Sequence, residues 1–288
     1  MKVEGSAMGE KRKAVEGRKK YEQERIARRR GGGGGGGFGR PPRVRRVLAG
    51  SSSAAIQRLF EVCMAVFKGA RTVPSPKDVQ MLQLVLDKLK PEDVGLSTDL
   101  PFFKDRSTAK ETPAITYTHI YNCDKFSMCI FFLPPTAVIP LHNHPGMTVF
   151  SKLLLGTMHI KSYDWVDNYK TDKDPPSAQS RLAKIVENSD FTAPCETSIL
   201  YPTTGGNIHT FRAITPCAVL DILGPPYSKE DDRDCTYYKD HLYADVAVGD
   251  STANGSCDNS FRWLEEIETP KDLKMIGVEY RGPQILDG

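Results

Sequence analysis

Apolar residues recur along this chain with two different periods, and the change of period divides it. Ile56, Leu59, Phe60, Cys63, Met64 and Phe67 fall three and four apart, the spacing of one face of an amphipathic helix. Ser51 to Ser53 offer caps before this helix and Gly69 a stop after it. Val79, Leu82, Val85, Leu86 and Leu89 repeat the pattern. The second helix opens at Ser75-Pro76, with Asp78 completing a variant of the capping box and Pro91 beyond its end. Both helices are expected to pack on a larger core rather than to form a partner site. From Ala114 the runs shorten and become rich in β-formers: AITYTHIY, KFSMCIFF, MTVFSKLLL, TMHIKSYDW, RLAKIVEN, SILYP and CAVLDIL. Turn residues separate them, and Pro175-Pro176 and the polar stretch Ala253 to Ser260 read as loops. This succession predicts an all-β barrel or sandwich with N-terminal α-helices. No repeat of solenoid length accompanies it.

The first fifty residues follow neither period. They contain 15 Lys or Arg against 5 Glu, a local +10 that leaves the other 238 residues at −7 within a total of +3. The segment runs KRKAVEGRKKYEQERIARRR, then seven glycines (Gly31 to Gly37), then PPRVRR. So few apolar side chains cannot offset ordering entropy, and a disordered basic tail is expected over 1–50. Runs of this kind serve as nuclear import signals or nucleic-acid patches, or stand as solvated tails. The expected organisation is that tail, a helical segment over 51–92 and a β-rich domain over 93–288. No apolar run is long enough to span a membrane, and nothing resembles a secretory leader. Seven cysteines, scattered and without a CxxC pair, read as reduced thiols in an intracellular protein.

Chemistry concentrates between Pro140 and Trp165, PLHNHPGMTVFSKLLLGTMHIKSYDW. Residues two apart on a strand share a face, so His142 and His144 reach into one space. Imidazole is the commonest protein ligand for transition metals, and the pair suggests a site awaiting a third ligand. His209 in YPTTGGNIHTFRA is the candidate, with Gly205-Gly206 allowing close backbone approach. The dyad alone is equally compatible with two satisfied polar residues. His119 and His159 lie singly in apparent strands and are not assigned to a metal, nor is His241.

The spacing around the dyad resembles the first motif of a cupin, a double-stranded β-helix barrel. That motif runs Gly, five residues, HxH, three or four residues, Glu, six residues, Gly. Here Thr136 replaces the leading Gly, Val149 replaces the Glu, and Gly156 closes the motif. Gly206-x-x-His209 resembles the second motif, with Ala213 at its closing Asn position. HNHPGMTVFSKLLLGTMHIKSYDW, GGNIHTF and AVLDILGPPYS together resemble the plant cysteine oxidases and the related animal cysteamine (2-aminoethanethiol) dioxygenases, over roughly Ile56 to the C-terminus.

The resemblance implies a cupin thiol dioxygenase domain in which His142, His144 and His209 bind Fe(2+). It implies oxidation of an N-terminal cysteine by O2 to the sulfinic acid. The substrates it implies begin Met-Cys and lose the methionine, as group VII ethylene response factors do, and oxidation marks them for arginylation and degradation. Asp221 matches a family acidic residue near the metal, suited to the substrate's α-ammonium or to orienting a proton. Tyr227, after Pro225-Pro226, is placed to donate to bound oxygen or to fill the pocket mouth. Cys235 and Tyr237 match a pair that cross-links in animal relatives. A monomer in nucleus and cytoplasm is expected, with no membrane partner and no direct nucleic-acid binding. Two other readings remain: a cupin with another metal and a small-molecule reaction, or a non-enzymatic nuclear binding module.

Overall fold

The computed structural model describes residues 49–69, 72–100, 102, 114–167, 175–243 and 260–287. The expected tail lies almost wholly outside these residues, as does most of Ala253 to Ser260.

Helix α1 spans Ala49–Val66 and α2 spans Pro76–Asp87. The α1 start corrects one expectation. Ser51 to Ser53 lie within the helix instead of capping it, because the packing of Ile56, Leu59, Phe60 and Cys63 anchors a helix that extends backward through AGSSSAA. Ser75 caps α2 as expected: its hydroxyl oxygen accepts from the Asp78 amide at 3.3 Å. The reciprocal bond differs from a capping box, since the Ser75 hydroxyl itself donates to the Asp78 carboxylate at 2.8 Å. Pro91 then starts a short 3-10 turn, Pro91–Val94.

Twelve strands follow among the described residues: β1 Ile115–Asn122, β2 Ser127–Leu133, β3 Val138–Asn143, β4 Thr148–Leu155, β5 Thr157–Trp165 and β6 Ser180–Thr192; then β7 Ser198–Leu200, β8 Ile208–Ala213, β9 Cys217–Gly224, β10 Tyr237–Leu242, β11 Phe261–Ile267 and β12 Met275–Gly277. They form one sheet in the order β12-β1-β2-β9-β4-β7 and a second in the order β10-β11-β6-β5-β8-β3. The second sheet closes where Tyr237 of β10 pairs with His142 of β3. Two facing six-stranded layers with these crossovers are the double-stranded β-helix of a cupin.

Two neighbouring strands of the first sheet, β4 and β9, are buried on both faces, which is why they read as nearly continuous apolar runs. Phe150, Leu154, Leu220 and Ile222 point outward and join Leu59, Phe67, Leu82 and Leu86 of the helical segment in one cluster. Each fully buried side chain of that size contributes about 1.5–3 kcal/mol. The helices are therefore packing elements, as their periodicity predicts. Gly224 marks the closest approach: a Cβ there would lie 2.1 Å from the Phe67 ring. Leu153 and Val219 point the other way, into the barrel with Met158 and Phe211. One polar tie crosses the helix–barrel junction. Asp87, ending α2, accepts from the Thr197 amide at 2.8 Å, the Thr197 hydroxyl at 2.6 Å and the buried Lys152 ammonium at 3.5 Å.

Candidate metal centre

The interior turns polar at one end. His142 on β3 lies opposite His209 on β8, and His209 in turn lies opposite Ser162 on β5. His144 follows two residues after His142, just beyond the strand end. β3 contains Pro140, which a ladder strand rarely accepts. The β3–β8 register shifts between Ile139 and His142, so the proline sits at an irregularity where no ladder amide is required. Thr136, at the position of the motif's leading glycine, has φ 70°, a left-handed conformation uncommon for a β-branched residue.

The structure brings all three predicted histidines together. They are buried, and one nitrogen from each lies within 4.8 Å of the others. The Nε2 atoms of His144 and His209 are 3.0 Å apart. Two metal–nitrogen bonds of about 2.1 Å meeting near a right angle hold their nitrogens about 3.0 Å apart, so this gap fits one shared ion. Among the described residues no other cluster of His, Cys, Asp or Glu has this convergence. His159 is held by Asp190 and Asn188, and His241 by Glu265. His119 meets Tyr117 edge to face. None of the three joins the site.

The surroundings determine which nitrogens face inward. The Pro140 carbonyl accepts from His142 Nδ1 at 2.8 Å. Tyr227 has a single hydroxyl proton, which it donates to the Asn143 carbonyl at 2.8 Å. Its oxygen is then the acceptor for His144 Nδ1–H, also at 2.8 Å. Both rings accordingly present an unprotonated Nε2, the ligand form. Electrostatics agree. Burial lowers His142 to about pKa 4. It also lowers His144 and His209, with the neighbouring imidazoles adding to the effect. At neutral pH all three are uncharged. The donor set suits a divalent transition metal with positions left open.

Tyr227 is thus engaged with His144 and the Asn143 carbonyl. Asp221 faces the interior from β9, opposite Cys129 on β2 and Ser151 on β4. Burial pushes its carboxyl up to about 7, and nearby Ser151 opposes that rise. Ser151 and Asp221 face each other across the β4–β9 pair, and neither Asp221 Oδ1 nor Ser151 Oγ makes a well-aligned hydrogen bond among the described residues. Cys235 lies in contact with both Tyr227 and Tyr237, so the pair expected to cross-link is adjacent. Burial raises the Cys235 thiol. Val149, at the motif's Glu position, is buried among Met147, Leu200, Leu223 and Tyr227. That apolar pocket offers no carboxylate to the site. The six described cysteines are free.

Sequence reasoning missed a clamp on His144. The Asn207 side-chain amide accepts from the His144 N–H at 3.2 Å and donates to the His144 carbonyl at 2.9 Å. It also donates to the Tyr201 carbonyl at 2.7 Å. Asn207 itself is held by Asp164 of β5, whose carboxylate accepts from the amides of Gly205 (2.9 Å), Gly206 (2.8 Å) and Asn207 (3.2 Å). Gly206 is required on two counts. Its φ is 82°, and a Cβ would lie 2.3 Å from Ser162 Oγ. The visible signal was Gly205-Gly206, and what it supports is the loop that carries Asn207 under the first ligand pair.

A double-stranded β-helix that gathers three neutral histidines, with no ligating carboxylate among the described residues, is a three-histidine metal cupin. Residues 85–285 match the PCO_ADO family, and the chain belongs to it: a cupin thiol dioxygenase with a metal-binding site. It is 52% identical over 233 residues to plant cysteine oxidase 2 of Arabidopsis thaliana, covering 80% of this chain and 83% of that protein. Against plant cysteine oxidase 1 of the same plant the identity is 49% over 241 residues, 81% of each. The 2-aminoethanethiol dioxygenase of Mus musculus is 30% identical over 258 residues, 81% of this chain and 97% of that one. Among solved structures, an oxalate oxidase in complex with the substrate analogue glycolate aligns at 13% identity and a TM-score of 0.31, covering 47% of this chain and 63% of that one. The cupin assignment rests on the strand topology, not on that likeness.

Proposed function

We infer that this chain binds Fe(II) through His142, His144 and His209 and converts the N-terminal cysteine of protein substrates to cysteine sulfinic acid. The balance is RSH + O2 → RSO2H, with both oxygen atoms entering the product. The substrates would be proteins that expose Cys after methionine removal, group VII ethylene response factors among them, so that activity reports oxygen through protein degradation. One observation carries the reading: a buried, neutral three-histidine set in a chain 52% and 49% identical to two plant cysteine oxidases.

When bound, the iron supplies open positions and an uncancelled +2 charge that favours a thiolate over a thiol. The protein does the rest. Tyr227, Asn207 and Pro140 orient the imidazoles. Asp221, with its carboxyl pushed up to about 7 by burial, makes no well-aligned hydrogen bond at Oδ1 among the described residues. A substrate α-ammonium beside it would favour the ionised form and hold the first residue in place. Val149 and Leu223 pack with Met147 and Leu200 against Tyr227, so the ground behind that tyrosine is apolar. We further propose that the basic tail carries part of the enzyme into the nucleus, the remainder staying in the cytoplasm as a monomer.

The test is oxygen uptake by purified protein with a peptide bearing a free N-terminal Cys, after reconstitution with Fe(II), Mn(II) or Zn(II). Uptake with Fe(II) alone is expected. Equal uptake without metal, or none with Fe(II), would overturn the assignment.

A further inference from the structure

We propose that the cavity between β6 and β7 is the path by which the substrate's first residues reach the metal centre, and that its rim selects cationic side chains just after the cysteine. This rests on the N-terminal cysteine reading above and goes on to name which N-termini are preferred. The cavity has a volume of about 310 Å³. That is the lower end of the range for ligand pockets, roughly 300–1,000 Å³, so it admits a narrow chain end and not a folded partner.

His209 and Ser151 line the cavity, Ile160, Phe191 and Phe211 give it apolar walls, and Glu187 and Glu196 supply its charge. Glu196 is exposed and Glu187 half-buried, which places both toward the opening. Among the described residues no lysine or arginine lines it. Lys152, adjoining Ser151 in sequence, is turned to Asp87 and the Cys195 carbonyl. Glu187 is held in place, its Oε1 accepting from the Asn188 amide at 2.9 Å and the Ser189 hydroxyl at 2.7 Å.

A second, independent observation points to a ligand. The buried Ser151 hydroxyl faces this cavity; it lies opposite Asp221 in the β4–β9 register and is coupled to that carboxyl, yet neither Ser151 Oγ nor Asp221 Oδ1 makes a well-aligned hydrogen bond among the described residues. Buried polar atoms are rarely left unmatched, so the inner end is shaped for a group that brings donors. An α-ammonium brings three. An extended chain then advances about 3.3–3.6 Å per residue, which carries the next few side chains past Glu187 and Glu196. The two carboxylates there draw in cations and repel acids.

The test uses three peptides with a free N-terminal Cys that differ only in the two residues after it: both lysine, both glutamine or both glutamate. Sulfinic acid formation is followed by mass spectrometry at low and high salt. The wild-type enzyme should favour lysine over glutamate in kcat/KM by about tenfold, mostly through KM, with the ratio shrinking at high salt. Glu187→Gln combined with Glu196→Gln should bring the ratio to within about twofold of one, and Glu196→Lys should invert it. Unchanged thermal midpoints verify that these rim variants are folded. A wild-type ratio near one, or a lysine preference that persists in the double variant, overturns the proposal while leaving N-terminal cysteine oxidation intact. Failure to oxidise any of the three peptides would take the underlying reading down as well.

Discussion

Replacing Asn207 with Ala removes three hydrogen bonds: two to the His144 backbone and one to the Tyr201 carbonyl. Each is worth about 1 kcal/mol net, and the two stranded His144 groups are buried, so the fold should lose about 2–3 kcal/mol. If Asn207 only supported the loop, the effect would end there. The geometry requires more, because the released backbone is that of a metal ligand. Loss of an outer partner of this kind costs about 10- to 100-fold in metal affinity. Asn207→Asp is the sharper probe. It keeps the volume and the acceptor for the His144 amide but turns an oxygen toward the two carbonyls that Asn207 Nδ2 now serves. Its metal affinity should fall at least as far as that of Asn207→Ala. The assay pairs urea unfolding of the metal-free proteins with titration by Co(II) or Fe(II). A variant that loses the expected stability yet binds metal within twofold of wild type would refute the positioning argument.

Three further outcomes are expected. His209→Ala leaves two imidazoles and should abolish both bound iron, measured by elemental analysis, and turnover; normal iron content would remove His209 from the site. Tyr227→Phe deprives His144 Nδ1 of its acceptor and should weaken metal binding by about tenfold, beyond a stability cost of about 1–2 kcal/mol for its two lost hydrogen bonds; an unchanged affinity would show that the tautomer is held by something else. Burial opposes ionisation of Asp87, but the Thr197 hydroxyl and amide and the Lys152 charge outweigh it and leave the carboxyl below its ordinary value. A depressed folded pKa means the contribution is present above the unfolded value of about 3.9 and is lost as pH falls through the folded one. Asp87→Asn should therefore destabilise by about 1–2 kcal/mol at pH 7 and progressively less as the pH falls below the unfolded value, as read from urea midpoints; a loss that does not shrink with acidification would contradict the ionic role.

How much was legible depended on burial. β5 matches the run TMHIKSYDW residue for residue, and β4 and β9 stood out because both their faces are covered. β10 and β11 were not read from the pattern. Their exposed positions carry Lys239, Asp240 and Glu266, which break any apolar run. β3 was masked by Pro140, and only its histidines marked it as a strand end. The same division holds at the site. The HxH spacing and Gly206-x-x-His209 are local and visible. The Asp164–Asn207–His144 clamp joins residues 43 and 63 apart, with no spacing rule to predict it. Tyr227 was noticed, but its partner depends on the path of the loop through Pro225-Pro226, which the sequence does not specify.

The central claim is that both atoms of dioxygen enter the sulfur of an N-terminal cysteine. The direct measurement is mass spectrometry of three matched peptides, with a free, an acetylated and an internal cysteine, incubated with the iron-loaded enzyme under isotopically labelled dioxygen. The account predicts a doubly labelled sulfinic acid on the free N-terminal cysteine, strong suppression by acetylation, and rejection of the internal cysteine. Asp221→Asn should narrow the advantage of the free amine. Equal oxidation of all three peptides, or product oxygen drawn from water, would contradict it.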